Sequence, residues 1–220
     1  MSQFDQVRAV STVFLFTLLV AAGLSPGASS QAERESSTAW VEPAVPGPDP
    51  LAPRGPDPLI SDMLSKMDIN DMKSLFYELE NKYSLPNRVT KSQNYLKSTD
   101  WIKSLVQTRR PNLDVQWHDE SRGYRNIIIT LPGADPSAGE IQVGGHLDSV
   151  AAGPGMDDDG SGALGSAWIG LAMAGYRFTT TVRFILFDAE ESGLIGSGHY
   201  VNDIKAGCPP STCLKYYMNL

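Results

Sequence analysis

The segment from Gly144 to Gly162 limits what this chain can fold into more than any other stretch. It holds one imidazole, His146, among many glycines and acids, so it cannot form a regular packed element. An apolar run, residues 141–143, precedes it and a helix-like run, residues 163–174, follows it. It is therefore a loop between a strand and a helix, which is where open α/β sheets build their binding and catalytic sites.

Carboxylates are concentrated in this loop and directly after the next predicted strand. The acids are Asp148, Asp157, Asp158, Asp159, Asp188, Glu190 and Glu191. So many carboxylates at one sheet edge would repel one another unless some took up protons or a cation neutralised them. Imidazole with carboxylates favours zinc, with cobalt or manganese as substitutes, over calcium or magnesium. The pattern therefore predicts a metal centre.

The composition is that of a folded domain behind an N-terminal leader. The 220 residues are 41% hydrophobic and 20% charged, and the net charge of -7 argues against nucleic-acid binding. Residues 1–30 combine Arg8, an uncharged run and small residues, which predicts a secretory signal peptide. The run is short for a membrane span, although an uncleaved signal anchor is the alternative. We expect a secreted, extracellular protein with no stable membrane association after signal removal.

Residues 31–58 are rich in Pro, Ser, Gly and acids, which predicts a disordered linker or a propeptide. Cys208 and Cys213 are the only cysteines, and in a secreted chain they predict a local disulfide. A zinc-binding cysteine pair is less favoured, because no second pair of ligands lies nearby in the sequence.

From Leu59 the apolar residues recur with a helical period, and they predict three helices before residue 113. The period then changes to that of strands. Strands are predicted at residues 113–118, 126–131, 141–145, 181–187 and 215–220, and helices at about 161–174 and 194–204. Alternating strands and helices indicate an α/β fold with a mixed, centrally parallel sheet.

His146 and the Glu190–Glu191 pair follow two strands that are predicted to be parallel. Their carboxyl ends meet at one sheet edge, so the imidazole and the carboxylates are expected to lie together. Such a set can hold two cations that share one carboxylate and activate a bridging water. A carboxylate that is not a ligand can take the water's proton.

Three motifs together resemble the secreted di-zinc leucyl-type aminopeptidases of metallopeptidase family twenty-eight, in clan MH. The motifs are His-Leu-Asp-Ser from His146, the loop Gly153–Gly162, and Phe187–Ser197 with its Asp-Ala-Glu-Glu-Ser-Gly core. The resemblance covers roughly residues 72–220. It implies a three-layer α/β/α zinc-exopeptidase fold, two zinc ions in a complete site, and the release of N-terminal amino acids from peptides and proteins.

By that resemblance, His146 binds one zinc, Glu191 binds the other, and Asp158 bridges both. Glu190 is the general base, and Asp148 hydrogen-bonds to His146 and fixes its tautomer. One of Asp157 and Asp159 is expected to cap the following helix or brace the loop. Asp188 is interpreted as structural, and His118 and His199 as surface or partly buried residues.

The family pattern has two further ligands, an Asp directly after the strand that ends at Leu220 and a later His. Residues 59–220 are therefore interpreted as the N-terminal part of a catalytic domain, with a sheet incomplete at its C-terminal end; a short paralogue is the alternative. Weak metal binding and little activity are expected of these 220 residues alone. Two other functions stay open: a non-catalytic binding protein on the same scaffold, and a related single-zinc glutaminyl cyclase.

Overall fold

A computed structural model describes residues 57–207 and 214–220. The predicted signal peptide, most of the predicted linker, and the Cys208–Cys213 pair lie outside these residues. The helices are α1 (Pro58–Ser65), α2 (Ile69–Glu78), α3 (Gln93–Arg109), α4 (Ser161–Met173) and α5 (Ile195–Gly207). The strands are β1 (Asp114–His118), β2 (Asn126–Leu131), β3 (Glu140–His146), β4 (Thr181–Phe187) and β5 (Leu214–Asn219). Within the described ranges, no helix is long and apolar enough to cross a membrane.

The three N-terminal helices begin at side chains that satisfy free backbone amides. The carboxylates of Asp57 and Asp68 accept hydrogen bonds from the first turns of α1 and α2, and the Ser92 hydroxyl does the same for α3. The apolar face behind these caps is buried, with Met63 and Ile102 fully covered. The apolar side chains that recur with a helical period from Leu59 therefore face the core, as that spacing predicts.

The sheet has five strands in the order β1-β2-β4-β3-β5. β4 and β5 both run parallel to β3, whereas β2 runs antiparallel to β4 and to β1. The predicted mixed, centrally parallel sheet is confirmed. Element boundaries differ from the predicted ones by at most three residues, and those of β2 and β4 are the predicted ones.

Helices cover both faces of this sheet. Ile127 and Ile129 of β2 point into the larger core with α4, while Ile128 packs with Ile185 and with Tyr200 of α5 in a smaller core on the other face. Alternate residues of one strand thus enter opposite layers. β5 forms one edge of the sheet, and its Tyr216 is 56% exposed. The layers leave the carboxyl ends of β3 and β4 free to carry loops.

Candidate metal centre

The predicted site lies at the carboxyl ends of β3 and β4. His146, the last residue of β3, is the register partner of Phe187, the last residue of β4. The loop after His146 and the loop after Phe187 therefore begin side by side. The sheet register alone brings the imidazole and the Glu190–Glu191 pair to one place, as the parallel pairing predicts.

His146, Glu190 and Glu191 each present one potential ligand atom, and these atoms lie within 4.8 Å of one another. His146 Nε2 is 3.7 Å from Glu190 Oε2 and 3.0 Å from Asp158 Oδ1. The Asp158 side chain is 82% exposed and approaches the group from the loop after β3. Within residues 57–207 and 214–220, this is the only such cluster of three or more histidine, cysteine or acidic side chains.

Asp148 connects the two loops. It is fully buried, and its carboxylate accepts hydrogen bonds from the backbone N–H groups of Glu190 at 3.0 Å and Glu191 at 3.2 Å. Its carbonyl oxygen lies 3.1 Å from His146 Nδ1, while the carboxylate is 3.6 Å from that nitrogen. The backbone contact leaves Nε2 of His146 facing the acids. Asp148 thus orients the imidazole and the Glu190–Glu191 backbone together.

Asp159 braces the start of the loop. Its carboxylate accepts hydrogen bonds from the backbone of His146 at 2.9 Å and of Gly162 at 3.1 Å. A Cβ at Gly145 would lie only 2.4 Å from Asp159 Oδ2, so this approach requires a glycine. Asp159 therefore has the loop-bracing contacts expected of one of the two acids that flank Asp158, whereas Asp157 is exposed.

Asp188 and the two remaining histidines have structural partners. Asp188 Oδ2 accepts a hydrogen bond from the backbone of Arg125 at 2.8 Å, and burial raises the pKa of this carboxyl. His118 pairs with Asp203 at 2.8 Å, and His199 pairs with Asp119 at 2.5 Å. Both histidines are partly buried, as predicted, but each has an acidic partner that is distant in sequence.

Arg88 is a buried cation beneath the His146 loop that the sequence pattern did not assign. Its guanidinium donates to the carbonyls of Leu147 at 2.8 Å and Gly155 at 2.7 Å, and to the Ser84 hydroxyl at 2.6 Å. A further bond joins it to the carbonyl of Pro154. Burial lowers the pKa of Arg88 to about 10, which still leaves it charged at neutral pH. Arg88 thus ties both ends of the loop to the preceding segment.

The charge balance favours a protonated imidazole while no cation is bound. Burial alone would lower the pKa of His146, but the carboxylates of Asp148 and Asp159 outweigh it and raise the pKa to about 9. Burial also raises the pKa of Asp159 to about 6. In the metal-free site the imidazolium therefore supplies the positive charge that the surrounding acids require.

The raised pKa of His146 predicts a pH-dependent stability for the metal-free protein. Its folded pKa of about 9 exceeds the ordinary value of about 6.5, so its contribution is complete below pH 6.5 and is lost as pH rises through 9. We expect the free energy of unfolding to fall by at most about 3 kcal/mol across that range. Urea denaturation in a chelator measures this loss, and the variant His146→Gln should lack it. An equal loss of unfolding free energy in the native protein and in His146→Gln would show that His146 is not the group responsible.

A match to a known family agrees with this geometry. Residues 126–220 match the model of Peptidase family M28. The match begins at β2 and includes the ends of β3 and β4 with both acidic loops. Residues 126–220 are thus similar to an M28 peptidase domain. The resemblance noted from the three sequence motifs is thereby confirmed.

Similar proteins include one named as an aminopeptidase and one named as a leupeptin-inactivating enzyme. A probable leucine aminopeptidase 2 of Aspergillus fumigatus is 41% identical over 95 residues, which are 43% of this chain and 19% of that protein. Leupeptin-inactivating enzyme 1 of Streptomyces exfoliatus is 38% identical over 124 residues, 54% of this chain and 28% of that protein. This chain thus spans less than a third of the length of either relative.

The fold also matches a solved structure. LapB of Legionella pneumophila superposes with a TM-score of 0.62 and 22% identity, over 74% of this chain and 46% of that one. At that identity the likeness concerns the fold alone. It supports the layered α/β arrangement and the mixed sheet of this chain.

Proposed function

We propose that this chain belongs to a zinc-dependent aminopeptidase, which hydrolyses peptide bonds and releases N-terminal amino acids. The observation that carries the proposal is the convergence of His146, Glu190 and Glu191 at one sheet edge, with Asp158 against His146. The M28 match over the same loops and the aminopeptidase name of the Aspergillus relative support it.

The donors fit zinc. One imidazole nitrogen and several carboxylate oxygens form the mixed set that zinc accepts, and the sites of calcium and magnesium are usually all-oxygen. We assign His146 to one zinc, Glu191 to a second, and Asp158 to both. Zinc, when bound, supplies a Lewis acid that polarises the substrate carbonyl and lowers the pKa of water.

Glu190 is the proposed general base. Its side chain is 37% exposed, so it can reach solvent and substrate while its backbone is held by Asp148. Its carboxylate would take the proton of the attacking water and return it to the departing amine. Asp148 contributes by positioning, because it bonds to the amides of both glutamates and its carbonyl orients His146.

The proposed substrates are the N-termini of peptides and proteins. The carboxylates of Asp158, Glu190 and Glu191 face the space beside His146, and their negative charge would attract the ammonium of a free chain end. The predicted signal peptide supports an extracellular location for this activity. Such substrates reach a secreted enzyme directly.

Removing zinc from the native protein should abolish hydrolysis of a leucyl anilide, and adding zinc should restore it. Asp158→Asn should weaken zinc binding by more than about 100-fold, since even groups that only support ligands contribute 10–100-fold. Asp157→Asn is the matched control, because this neighbouring acid is exposed and should leave zinc affinity unchanged.

Hydrolysis that persists after complete zinc removal would contradict the proposal, as would equal zinc affinities of the two variants. A parallel assay of ammonia release from a peptide that begins with Gln separates peptide hydrolysis from glutaminyl cyclisation. We expect release of the first residue without cyclisation.

A further inference from the structure

The side chain of Asn126 holds both ends of the segment that carries the two glutamates. This segment, residues 188–196, is here named the Glu190 loop. Asn126 is fully buried at the start of β2, and its Oδ1 accepts a hydrogen bond from the backbone N–H of Asp188 at 2.8 Å. Its Nδ2 donates to the carbonyl of Gly196 at 3.0 Å. One amide group therefore clamps the beginning and the end of the loop.

The two ends of the Glu190 loop also contact each other. The N–H of Gly196 donates to the carbonyl of Asp188 at 3.1 Å. A Cβ at Gly196 would lie 2.3 Å from that carbonyl oxygen and 2.4 Å from Asn126 Oδ1. The neck of the loop, where Asp188 meets Gly196, thus has no room for a side chain at position 196. Asn126 fills the neck, and Glu190 and Glu191 lie at its far side.

The backbone groups fix which way the amide of Asn126 faces. Asp188 offers a donor and Gly196 an acceptor, so Oδ1 must face the first and Nδ2 the second. The other hydrogen of Nδ2 is directed at His118 Nδ1, which lies 3.0 Å away. His118 Nδ1 must therefore be an acceptor, and the ring proton sits on Nε2, which lies 2.8 Å from Asp203 Oδ2. The described contacts require neutral His118.

We propose that Asn126 is a positioning residue for the Glu190 loop and that it works only while His118 is neutral; the role in catalysis rests on the proposed function. A proton on Nδ1 would set two donors against each other. The side-chain amide of Asn126 would then have to exchange the positions of Oδ1 and Nδ2. Nδ2 would face the N–H of Asp188 and Oδ1 would face the carbonyl of Gly196, so both hydrogen bonds would be lost. Acidification is thus expected to weaken the hydrogen bonds of Asn126 with Asp188 and Gly196, and so to loosen the Glu190 loop.

The charges around His118 decide how strongly this coupling acts. Asp203 of α5 faces Nε2 and is 46% exposed, and Arg122 shares that carboxylate. The ring of Tyr200, also on α5, packs edge to face with the imidazole of His118, and the two ring centroids lie 5.4 Å apart. On the other side of the ring, the buried Asn126 directs its Nδ2 at His118 Nδ1, 3.0 Å away.

The test measures hydrogen exchange of the Asp188 amide in the metal-free protein at about pH 7.5 and about pH 5.5, the range in which histidines ordinarily titrate. Rates are corrected for the intrinsic effect of pH. The native protein should lose protection at least about 10-fold on acidification. His118→Gln keeps an acceptor that does not titrate, so it should show no such loss. His199→Gln, the matched control because His199 is also partly buried and paired with an aspartate, should behave like the native protein.

Asn126→Asp provides a result that a merely structural role does not predict. Its second carboxylate oxygen would face the carbonyl of Gly196, which repels it at any pH, and His118 Nδ1, which can donate to it only when protonated. Protection of the Asp188 amide should therefore be lower than in the native protein at neutral pH and should rise on acidification. The proposal would be overturned if protection of the Asp188 amide depended equally on pH in the native protein and in His118→Gln. It would also be overturned if that protection fell on acidification in Asn126→Asp.

Zinc titration of the same proteins separates this proposal from the proposed function. Loss of zinc affinity between the two pH values should be smaller in His118→Gln than in the native protein. If the Asp188 amide showed the expected pH dependence of hydrogen exchange but the protein bound no zinc, the zinc function would be refuted and the role of Asn126 would stand. A protein that bound zinc and hydrolysed peptides without the exchange pattern would refute only the role of Asn126.

Discussion

Replacing Glu190 with Gln in the native protein is expected to lower kcat for a leucyl anilide by about 10²–10⁴-fold, the usual contribution of a general base. The amide side chain has a similar shape but cannot take the proton of water. The bond between the Glu190 backbone and Asp148 does not involve the side chain, so the loop should keep its conformation. KM and zinc affinity should change little. Steady-state kinetics and zinc content together measure this outcome.

The neighbouring glutamate is the matched control. Glu191→Gln removes the same charge one residue away, and by our assignment it removes a zinc ligand rather than the base. It should therefore lose zinc, and added zinc should recover part of its activity. Full activity in Glu190→Gln, or undiminished zinc binding in Glu191→Gln, would show that the two roles are wrongly assigned.

Replacing Arg88 with Met should lower the free energy of unfolding by about 3–5 kcal/mol, as expected when one partner of a buried charge network is removed. The carbonyls of Leu147 and Gly155 would lose their donor, and the buried carboxylate of Asp148 would lose a nearby cation. Each unpaired buried group adds to the cost. Urea denaturation of the metal-free protein measures this change.

Arg110→Met is the control for that experiment. Arg110 is exposed, and the one described hydrogen bond of its side chain goes to the carbonyl of Arg109 at 3.1 Å. Its replacement should change stability by less than about 0.5 kcal/mol, as most surface substitutions do. If Arg88→Met were as stable as Arg110→Met, the hydrogen bonds of Arg88 would not stabilise the His146 loop. Zinc affinity should fall in Arg88→Met as well, because His146 lies directly before the tied segment.

Much of the fold could be predicted from local patterns. The spacing of Met63, Met72 and Leu75 indicates helices with one buried face, and these side chains are buried. The run from Asn126 to Leu131 indicates a buried strand, and all but Thr130 of its residues are buried. Such predictions succeed because burial imposes a period on the residues themselves. The parallel pairing of β3 with β4 follows from the helix between them.

The site could be predicted only in outline. The proximity of His146 to Glu190 and Glu191 follows from the topology, because each follows the end of a parallel strand. The contacts of Arg88 with Leu147 and of Asn126 with Gly196 join residues 59 and 70 positions apart. The repeat spacing of apolar residues carries no information about contacts between residues so far apart in the sequence. The buried carboxylate of Asp148 is a similar case, since its two amide donors lie on the other loop.

Anomalous diffraction at the zinc edge, from crystals of the native protein grown with zinc, tests the central claim most directly. Zinc is predicted within about 2.0–2.2 Å of His146 Nε2 and of an Asp158 oxygen, with a second ion on Asp158 and Glu191 about 3.5–4 Å away. Asp148 should still hold the amides of Glu190 and Glu191. Zinc peaks only at other residues, or no peak at this sheet edge, would contradict the account.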